Sequence, residues 1–506
     1  MPDSIKKKQT LATTAMFDRI MQARVAQRKW AQELPRVRLH AIGKVASQIA
    51  DHAQEFVARS PRPNASPAEV IASELLPLAD ACRYAARIGR RALASKTHSL
   101  RYGAWWMGRI SVRVQREPWG VVLILAPSNY PLFLPGVQIV QALAAGNAIL
   151  VKPAVGCEAI LARFIECLQA VGIPSDLVQL LDSSVTAGQA AMAAGVDKVL
   201  LTGSAESGRE VLEQASHTLT PTVMELSGCD AVFVTDRADL GRVARCLAYA
   251  LRLNGGATCI APRRVFVLPH HVEPLCELLR SELDSGTSRE DQSEANAARA
   301  EYTVPFAAVK KIVVAAEQAL QAGAEVFYGA LPIVPLDLSG NVLMRPLVLH
   351  HVTPHMEIAK LDLFGPVMSL LTVADMQAAI AADRLCPYRL GASLFGPSNH
   401  AAHWGSQLDV GCVVINDIIV PTADPRVSFG GSGESGWGVT RGWEGLLDMT
   451  RPKTICVRRG RWLPHLDAQL VGNVLVMHDL LQMWHSSGWR SKWAALRRLM
   501  RSRGKG

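Results

Sequence analysis

Short apolar runs alternate with longer segments of helical composition along most of the chain. Residues 121–125 and 148–151 are apolar, rich in β-branched side chains and followed by prolines, which predicts buried strands. Residues 137–145 have helical composition and end at Gly146, a residue suited to a helix C-cap. Residues 198–201 predict a further strand. Strand, helix and strand in repetition predict an α/β fold whose mostly parallel sheet is covered by helices on both faces.

The same alternation starts again in the second half of the chain. Residues 231–234 and 265–268 predict strands, and residues 240–253 between them predict a helix. Residues 281–300 are polar and charged, which predicts a solvated region of helix and loop. A chain of 506 residues exceeds what one hydrophobic core usually supports, so we expect two or more domains.

Two residues stand out as candidates for chemistry. Cys259 follows Asn-Gly-Gly-Ala-Thr, so its thiol is flanked by small residues and open to close approach by a substrate. Glu225, upstream of it, supplies a carboxylate that can activate water. The pair indicates covalent thiol catalysis followed by hydrolysis. Each residue alone has a plainer interpretation, because free cysteines are most often buried hydrophobes and most glutamates are surface charges.

Further motifs surround this pair in a definite order and carry a family resemblance. They are Glu-Pro-Trp-Gly-Val-Val at 117–122, Ala-Pro-Ser-Asn-Tyr-Pro at 126–131, Ala-Ala-Gly-Asn at 144–147, Val-Lys-Pro-Ala at 151–154, Leu-Thr-Gly-Ser at 201–204, Met-Glu-Leu-Ser-Gly at 224–228, Leu-Phe-Gly-Pro at 363–366 and Phe-Gly-Gly-Ser-Gly-Glu-Ser-Gly at 429–436. With these motifs the chain resembles the aldehyde dehydrogenase superfamily from about residue 116 to residue 458.

The resemblance implies an aldehyde dehydrogenase-like α/β fold with four parts. The parts are a Rossmann-type, parallel-sheet nucleotide-binding domain at 1–98 and 116–226, an α/β catalytic domain at 227–440, a small β oligomerisation flap at 99–115 and 450–458, and a basic amphipathic C-terminal extension at 459–506. Residues 110–114 alternate apolar and polar side chains, as a half-exposed strand of the flap should. A flap of this kind implies a homodimer or homotetramer.

The resemblance also assigns catalytic roles. Cys259 attacks an aldehyde carbon, and the side-chain amide of Asn129 with the Cys259 backbone N–H stabilises the oxyanion that develops. Hydride transfer to a nicotinamide leaves a thioester, which water activated by Glu225 hydrolyses to the acid. The Asn-Tyr-Pro motif is similar to the fatty-aldehyde branch of the family, which hints at a long-chain or aromatic aldehyde.

Cofactor-binding residues follow from the same motifs, and the cofactor is NAD or NADP. The residues are Lys152 at the adenosine ribose, Gly203, Ser204 and Gly208 at the pyrophosphate, and Asp362 and Phe364 at the nicotinamide ribose. Val155 stands where NAD-preferring relatives carry a Glu that binds the ribose hydroxyls. Its lack of charge removes an acceptor for the 2′-hydroxyl and also the repulsion of a 2′-phosphate, so the choice between the two cofactors stays open.

Other positions depart from the family pattern. Asp362 replaces a Glu, Cys229 a Lys, Ala257 a Gln, and Gly433 a Lys. None of these changes removes the nucleophile, the base or the oxyanion Asn, so the favoured interpretation is a working but divergent enzyme. The alternative is a catalytically weak or inactive relative that acts as a membrane- or partner-binding scaffold.

Cysteine usage and hydropathy bear on the compartment. The ten cysteines include no Cys-x-x-Cys pair, which favours a reducing compartment and speaks against a disulfide framework. We expect no metal site, because Pro354 breaks the helix that the spacing of His351 and His355 would need. Neither a signal peptide nor a transmembrane run is predicted, so the expected location is cytoplasmic.

Charge concentrates at the C-terminus. The chain carries 54 basic and 44 acidic residues, and residues 457–506 hold ten Lys or Arg against two Asp. Trp489, Trp493, Leu496 and Met500 form a helical apolar stripe among these basic residues. The pattern is typical of helices on anionic membrane surfaces, at the inner face of a membrane for a cytoplasmic protein. Packing on the enzyme's own surface and binding of nucleic acid stay open for the tail, although no specific nucleic-acid partner is expected.

Overall fold

The computed structural model describes residues 3–99, 103, 109–285, 301–332, 340–461, 463–466 and 472–503. The chain divides into two compact units, one of residues 1–92 with 118–450 and the other of residues 93–117 with 451–506. The finer division into four parts that the resemblance implies stays a prediction.

The smaller unit holds a three-stranded sheet and two C-terminal helices in its described residues. The strands are β1 (Lys96–His98), β2 (Ile110–Pro118) and β20 (Thr450–Arg458), and the helices are α16 (Val474–His485) and α17 (Trp489–Arg503). Strand β2 lies between the other two and pairs with β1 in antiparallel register. The strand predicted at 110–114 is therefore confirmed and extends to Pro118. The remainder of the predicted flap, at 100–102 and 104–108, lies outside the described residues.

Two open sheets form the framework of the larger unit. The first consists of β3 (Val121–Leu125), β4 (Ala148–Lys152), β5 (Val178–Leu180), β6 (Lys198–Gly203), β7 (Thr222–Leu226) and β19 (Gly436–Trp437). Its order is β19-β7-β6-β3-β4-β5, and every neighbouring pair is parallel except β19 with β7. The order 3-2-1-4-5 of its parallel strands, counted from β3, is that of a Rossmann half.

The second sheet has seven strands in the described part of the chain. They are β8 (Asp230–Val234), β9 (Pro262–Val267), β11 (Glu325–Tyr328), β13 (Leu347–His350), β14 (Val367–Thr372), β16 (Gly391–Phe395) and β17 (Cys412–Ile415). Only β11 runs antiparallel to its neighbour. Two short antiparallel ladders accompany the sheet. They are β10 (Tyr302–Pro305) with β12 (Asn341–Met344), and β15 (Tyr388–Arg389) with β18 (Ser432–Gly433).

Helices surround these sheets. They are α1 (Asp3–Gln32), α2 (Pro35–Asp51), α3 (Ala53–Ala58), α4 (Pro67–Val70), α5 (Leu76–Ala92), α6 (Phe133–Ala145), α7 (Glu158–Ala170), α8 (Val185–Ala193), α9 (Ala205–Ser216), α10 (Leu240–Arg252), α11 (Pro269–Ser285), α12 (Phe306–Gln321), α13 (Met376–Asp383), α14 (Ser398–Gly405) and α15 (Gly442–Asp448). The predicted α/β fold with parallel sheets is confirmed.

The core explains why the short apolar runs became strands. Every residue of β3 and β8 is buried, as expected for strands with helices on both faces. Helix α6 is buried along its whole length and begins at Phe133, four residues before its predicted start, because Pro135 is tolerated within a first turn. It ends at Gly146, whose φ of 99° gives the left-handed C-cap that the sequence predicts.

Two further predictions concern the solvated region at 281–300 and the lack of a transmembrane run. Helix α11 reaches Ser285, so the solvated region predicted at 281–300 begins as a helix, and residues 286–300 lie outside the described part. Among the described helices none combines the length and the apolar character that a membrane crossing requires.

Candidate active site

Four strands of the first sheet end beside predicted site residues. The parallel order β5-β4-β3-β6-β7 aligns their carboxyl ends along one edge, where doubly wound sheets bind ligands. Asn129 follows β3, Lys152 ends β4 and Ser204 follows β6, while Glu225 lies one residue before the end of β7. The topology therefore gathers four of the predicted residues at one edge of the sheet.

The loop that carries Cys259 begins in a tight left-handed turn at the end of α10. Asn254, Gly255 and Gly256 have φ values of 51°, 60° and 72°, a region open to glycine and tolerated by asparagine. A Cβ on Gly256 would lie only 2.2 Å from the carbonyl oxygen of Gly365. Gly255 and Gly256 thus suit the left-handed turn, and Gly256 also allows a close backbone approach.

Two asparagine side chains join this loop to the end of β3. The Asn129 amide Nδ2 donates to the carbonyl oxygen of Ala257 at 3.2 Å. Asn254 Nδ2 donates to the carbonyl oxygens of Asn129 at 3.0 Å and of Ala257 at 3.2 Å. An amide nitrogen carries two hydrogens, so Asn129 keeps a second donor while it is held two residues from Cys259.

The thiol and the carboxylate predicted for catalysis lie on adjoining segments. Gly228, three residues after Glu225, donates its N–H to the Cys259 carbonyl oxygen at 3.2 Å. Burial raises the pKa of the Cys259 thiol to about 12, and the Glu225 carboxylate adds to this shift. The structure therefore brings together the two residues that the sequence singled out, in surroundings that oppose ionisation of the thiol.

Glu225 is deeply buried. Its Oε2 accepts a hydrogen bond from Thr440 Oγ1 at 2.8 Å, and its buried Oε1 has no partner among the described residues. Burial raises the pKa of this carboxyl group, while Arg441 and the Thr440 hydroxyl act in the opposite direction. A carboxylate oxygen without a partner leaves an acceptor that one water molecule can fill.

A largely apolar cavity of about 180 Å³ opens onto Cys259. Its lining consists of Glu69, Ala72, Ser73, Tyr130, Phe133, Leu134, Tyr249, Leu253, Thr258, Cys259, Ile260, Ile419, Val420, Thr422, Ala423, Phe429 and Arg441. Glu69 and Arg441 are the charged members of this set. Such a cavity, with a thiol on its wall and few polar groups, suits an apolar substrate that carries one reactive end.

Helix α9 offers a site for a phosphate group at its N-terminus. Ser204 is its N-cap, and the Ser204 side chain accepts a hydrogen bond from the Ser207 N–H at 3.2 Å. Exposed N–H groups and the helix dipole favour anions at such an end. Gly208 has a packing function as well, since a Cβ there would lie 2.8 Å from Leu226 Cδ1. Gly203 is the last residue of β6 and precedes this cap directly.

Lys152 and Val155 lie in and just after the end of β4. Lys152 is half-buried, and burial lowers the pKa of its ammonium group, which the nearby Glu158 and Asp182 carboxylates partly offset. Val155 is 80% exposed and therefore has no packing function that would account for the missing carboxylate. The uncharged position next to Lys152 is open to a ligand.

Asp362 is buried with an oxygen that lacks a partner. Its Oδ1 accepts no hydrogen bond from the described residues, and burial raises the pKa of the carboxyl group against the opposing effect of Arg263. An orphan carboxylate oxygen fits the hydroxyl of a ribose, which the replacement of Glu by Asp had put in doubt. Phe364, two residues later, is half-buried.

Three residues near the site escaped the sequence analysis. Thr440 and Arg441 lie just beyond Gly436, where the glycine-rich motif ends, and Glu69 lies in the N-terminal segment for which no element was predicted. The only signal was a charged residue, Arg441, between Thr440 and Gly442. The sequence does not show whether the Arg441 side chain is buried, so the sequence analysis did not single out this residue.

One cluster of possible metal ligands lies apart from the cavity lining. Ligand atoms of Glu325, His350 and His351 lie within 4.8 Å of one another, and His350 Nε2 is 3.3 Å from Glu325 Oε2. His355, the second residue considered in the sequence, is not part of this group. The expectation that the protein has no metal site stays a prediction.

Comparison with known proteins identifies the family of the chain. A sequence model of the aldehyde dehydrogenase family matches residues 4–455. The chain belongs to the aldehyde dehydrogenase family. The family resemblance and the predicted aldehyde-oxidising enzyme are therefore confirmed, and the scaffold alternative is not favoured.

Relatives of known sequence and structure agree with this membership. A 4,4'-diapolycopene aldehyde oxidase of Methylomonas sp is 27% identical over 405 residues, which cover 78% of this chain and 74% of that protein. An NAD-dependent aldehyde dehydrogenase from Sinorhizobium meliloti superimposes with a TM-score of 0.78 at 27% identity, covering 89% of each chain. An NADP-dependent glyceraldehyde-3-phosphate dehydrogenase from Bacillus halodurans C-125, solved with NADP, gives a TM-score of 0.77 at 27% identity, covering 88% of this chain and 92% of that one.

The turn before Cys259 provides a stability test. We expect Gly256→Ala to lower the free energy of unfolding by at least about 2 kcal/mol, because it adds a clash with the Gly365 carbonyl to backbone strain. Gly323→Ala is the matched control, since its φ of 98° is also left-handed but nothing lies within 4 Å of its Cβ. Urea unfolding followed by circular dichroism measures both. Equal losses in the two variants would contradict the close approach.

Proposed function

We propose that the protein oxidises an aldehyde to its carboxylic acid through a covalent adduct on Cys259. The thiolate attacks the aldehyde carbon, so that a sulfur–carbon bond forms and the carbonyl electron pair moves to oxygen. The second N–H of Asn129 and the Cys259 backbone N–H would donate to this oxyanion. The observation that carries the proposal is the joining of the Cys259 and Glu225 segments through the Gly228 hydrogen bond at 3.2 Å.

Glu225 would complete the reaction. Its partnerless Oε1 is available to a water molecule, whose proton the carboxylate takes as the water attacks the thioester on Cys259. The sulfur–carbon bond then breaks, the thiol is restored and the free acid leaves. A base positioned in this way favours hydrolysis over transfer of the acyl group to another acceptor.

The first test separates acylation from hydrolysis. We expect Glu225→Gln to form the acyl enzyme and then stall, because the amide cannot accept the proton of water. Intact-protein mass spectrometry after mixing with a long-chain aldehyde and oxidised dinucleotide should show the acyl mass on Cys259, and turnover should fall by about two orders of magnitude or more.

Two variants complete this experiment. Cys259→Ala should show neither adduct nor turnover, and Glu210→Gln, an exposed carboxylate of α9, should behave as the unmodified enzyme. Full turnover in the Glu225→Gln variant would refute the assignment of the base.

The oxidant is NAD or NADP, which when bound supplies the acceptor for the hydride. Ser204 at the N-terminus of α9 would hold the pyrophosphate, and Lys152 a ribose hydroxyl at the end of β4. The orphan oxygen of Asp362 would accept from the second ribose. Gly203, Gly208 and Phe364 would shape the surface on which the dinucleotide lies. The residues present therefore fit the group.

Position 155 tests how the ribose is recognised. Val155→Glu should weaken NADP binding by about tenfold or more, because it places a carboxylate where the 2′-phosphate would lie, and should leave NAD binding equal or tighter. Isothermal titration with both dinucleotides measures this, with Leu278→Glu in α11 as an exposed control. Identical affinities for NADP before and after the Val155 change would contradict the proposed ribose site.

The substrate is proposed to be a long-chain or aromatic aldehyde. The cavity beside Cys259 is lined mainly by aliphatic and aromatic side chains, and burial of such a chain is the main source of affinity there. The Methylomonas relative, which is named for 4,4'-diapolycopene aldehyde, is consistent with an apolar substrate.

A homodimer or homotetramer is proposed through the small sheet. Strand β20 is an edge strand of this sheet, and most of its residues are exposed. Unpaired N–H and C=O groups on an edge of this kind favour pairing with another strand. A second copy of the chain would supply that strand.

The C-terminal helices are proposed to contact an anionic membrane surface, peripherally and from the cytoplasmic side. Trp489 and Trp493 of α17 are 68% and 56% exposed, and Leu475 of α16 is also exposed. Arg498 does not belong to this surface because it pairs with Asp479 of α16 at 2.7 Å. Exposed tryptophans beside basic residues match the pattern of interfacial helices. The inward-facing Ala495 and the Arg498 pair instead join α17 to α16.

Vesicle flotation tests the membrane contact. We expect Trp489→Glu with Trp493→Glu to lower recovery on vesicles of phosphatidylcholine and phosphatidylglycerol by about fivefold or more, since both apolar anchors are lost. Val185→Glu with Leu385→Glu, two exposed apolar residues of the larger unit, is the matched control. Equal recovery of all three proteins would exclude the helices as the membrane contact.

A further inference from the structure

Arg441 is a buried cation that forms no ion pair with any of the residues that the structure describes. It is the N-cap residue of α15, has a φ of 60° and is only 6% exposed. Its Nη1 donates to the Thr422 carbonyl oxygen at 2.8 Å, while its buried Nε meets no acceptor among the described residues. A buried charge that is not neutralised by a carboxylate is costly, so a purely structural residue at this position would not need to be an arginine.

Two aromatic rings lie close to this guanidinium. Its Cζ lies 4.1 Å from the centroid of the Phe429 ring and 5.5 Å from that of Phe133. Cation–π contacts and the bond to Thr422 hold the charge in one place without neutralising it. The positive charge therefore stays at a fixed place on the cavity wall.

The charge of Arg441 acts on Cys259 and on Glu225. Arg441 and Cys259 line the same cavity, and the residue next to Arg441, Thr440, donates to Glu225 Oε2 at 2.8 Å. The other charged groups that act on Cys259 are the carboxylates of Glu225, Asp230 and Asp362, together with Arg263.

Arg263 differs from Arg441 in the hydrogen bonds that its guanidinium group makes. Its Nη1 donates to the carbonyl oxygens of Gly365 and Val367, and its Nη2 donates to that of Gly256 at 2.7 Å. Arg263 therefore holds the turn before Cys259 together. Arg441 donates to the Thr422 carbonyl oxygen, and its charge acts on both the thiol and the base.

We infer that Arg441 is a positioning residue of the reaction, whose fixed charge stabilises the Cys259 thiolate and the Glu225 carboxylate. This deepens the proposed function and rests on it for the roles of the two residues. The charge sets the pH range in which the thiol attacks and the base accepts a proton.

The sign of the effect follows from the groups around the site. Burial raises the pKa of both Cys259 and Glu225, and Arg441 lowers both. Removing the charge would raise each pKa further, so less thiolate and less carboxylate would be present at neutral pH. A retained positive charge would keep both near their present values.

Alkylation of Cys259 by iodoacetamide measures the thiolate without turnover. Arg441→Gln keeps a donor for the Thr422 carbonyl and loses the charge, whereas Arg441→Lys keeps the charge. Between pH 7 and 9 we expect the Gln variant to react about fivefold to tenfold more slowly at Cys259 and the Lys variant within about twofold of the unmodified protein. Peptide-level mass spectrometry isolates Cys259, with the exposed Cys456 as the reference thiol.

Arg163→Gln is the control for loss of a buried arginine. Arg163 lies over the Phe56 ring at 5.9 Å and pairs with Glu55 and Glu166, but it does not line the cavity. Its loss should leave the Cys259 rate unchanged. The pH profile of deacylation gives a second readout, in which the acidic limb moves to higher pH in Arg441→Gln only.

Three results would overturn the inference. They are an unchanged Cys259 rate in Arg441→Gln, an equal decrease in the Gln and Lys variants, and failure of both Arg441→Gln and Arg441→Met to fold while Arg441→Lys reacts normally. The last would make the residue structural. Absence of aldehyde oxidation in the unmodified protein would refute the proposed function and still leave the alkylation result decisive for Arg441.

Discussion

The buried guanidinium of Arg62 holds together the loops from which the site is built. Its side chain is 1% exposed, and it pairs with Glu69 at 2.7 Å and with Glu74 at 3.5 Å. Its Nε donates to Asn254 Oδ1 at 3.2 Å, while Glu74 accepts from the Leu132 N–H at 2.7 Å. One ionic cluster therefore fixes both the turn before Cys259 and the start of α6. Breaking a buried pair of this kind leaves an uncompensated charge, so the two loops are held firmly in place.

The loops held by that cluster enclose a largely apolar cavity whose surroundings oppose ionisation of the Cys259 thiol. Burial raises the pKa of the Cys259 thiol, and the carboxylates of Glu225, Asp230 and Asp362 add to this shift. An apolar cavity suits an apolar aldehyde but penalises every charged intermediate that the reaction requires. The Asn129 amide, the Cys259 backbone N–H and the Arg441 charge would meet both demands. They would stabilise charge where it develops, and no bulk water would have to enter the cavity.

Local patterns predicted the framework of this site well. The runs at 121–125, 148–151 and 198–201 became strands because apolar β-branched residues suit a sheet that is buried on both faces. Gly146 ended its helix as predicted, since the left-handed cap is a property of a single residue. Cys259 and Glu225 could be found because each lies in a short motif and further motifs surround the pair in a definite order.

What the sequence could not reveal depends on contacts between distant residues. Arg62 and Asn254 lie 192 residues apart, and nothing in either neighbourhood announces the pairing. Gly208 resembles a phosphate-binding glycine, yet it also packs closely against Leu226, where a Cβ would lie 2.8 Å from Cδ1. Arg441 shows the same limit most clearly, because its effect comes from its burial and from its charge beside Cys259 and Glu225. A motif records which residues are present, whereas the pKa of a thiol depends on which charges the fold leaves beside it.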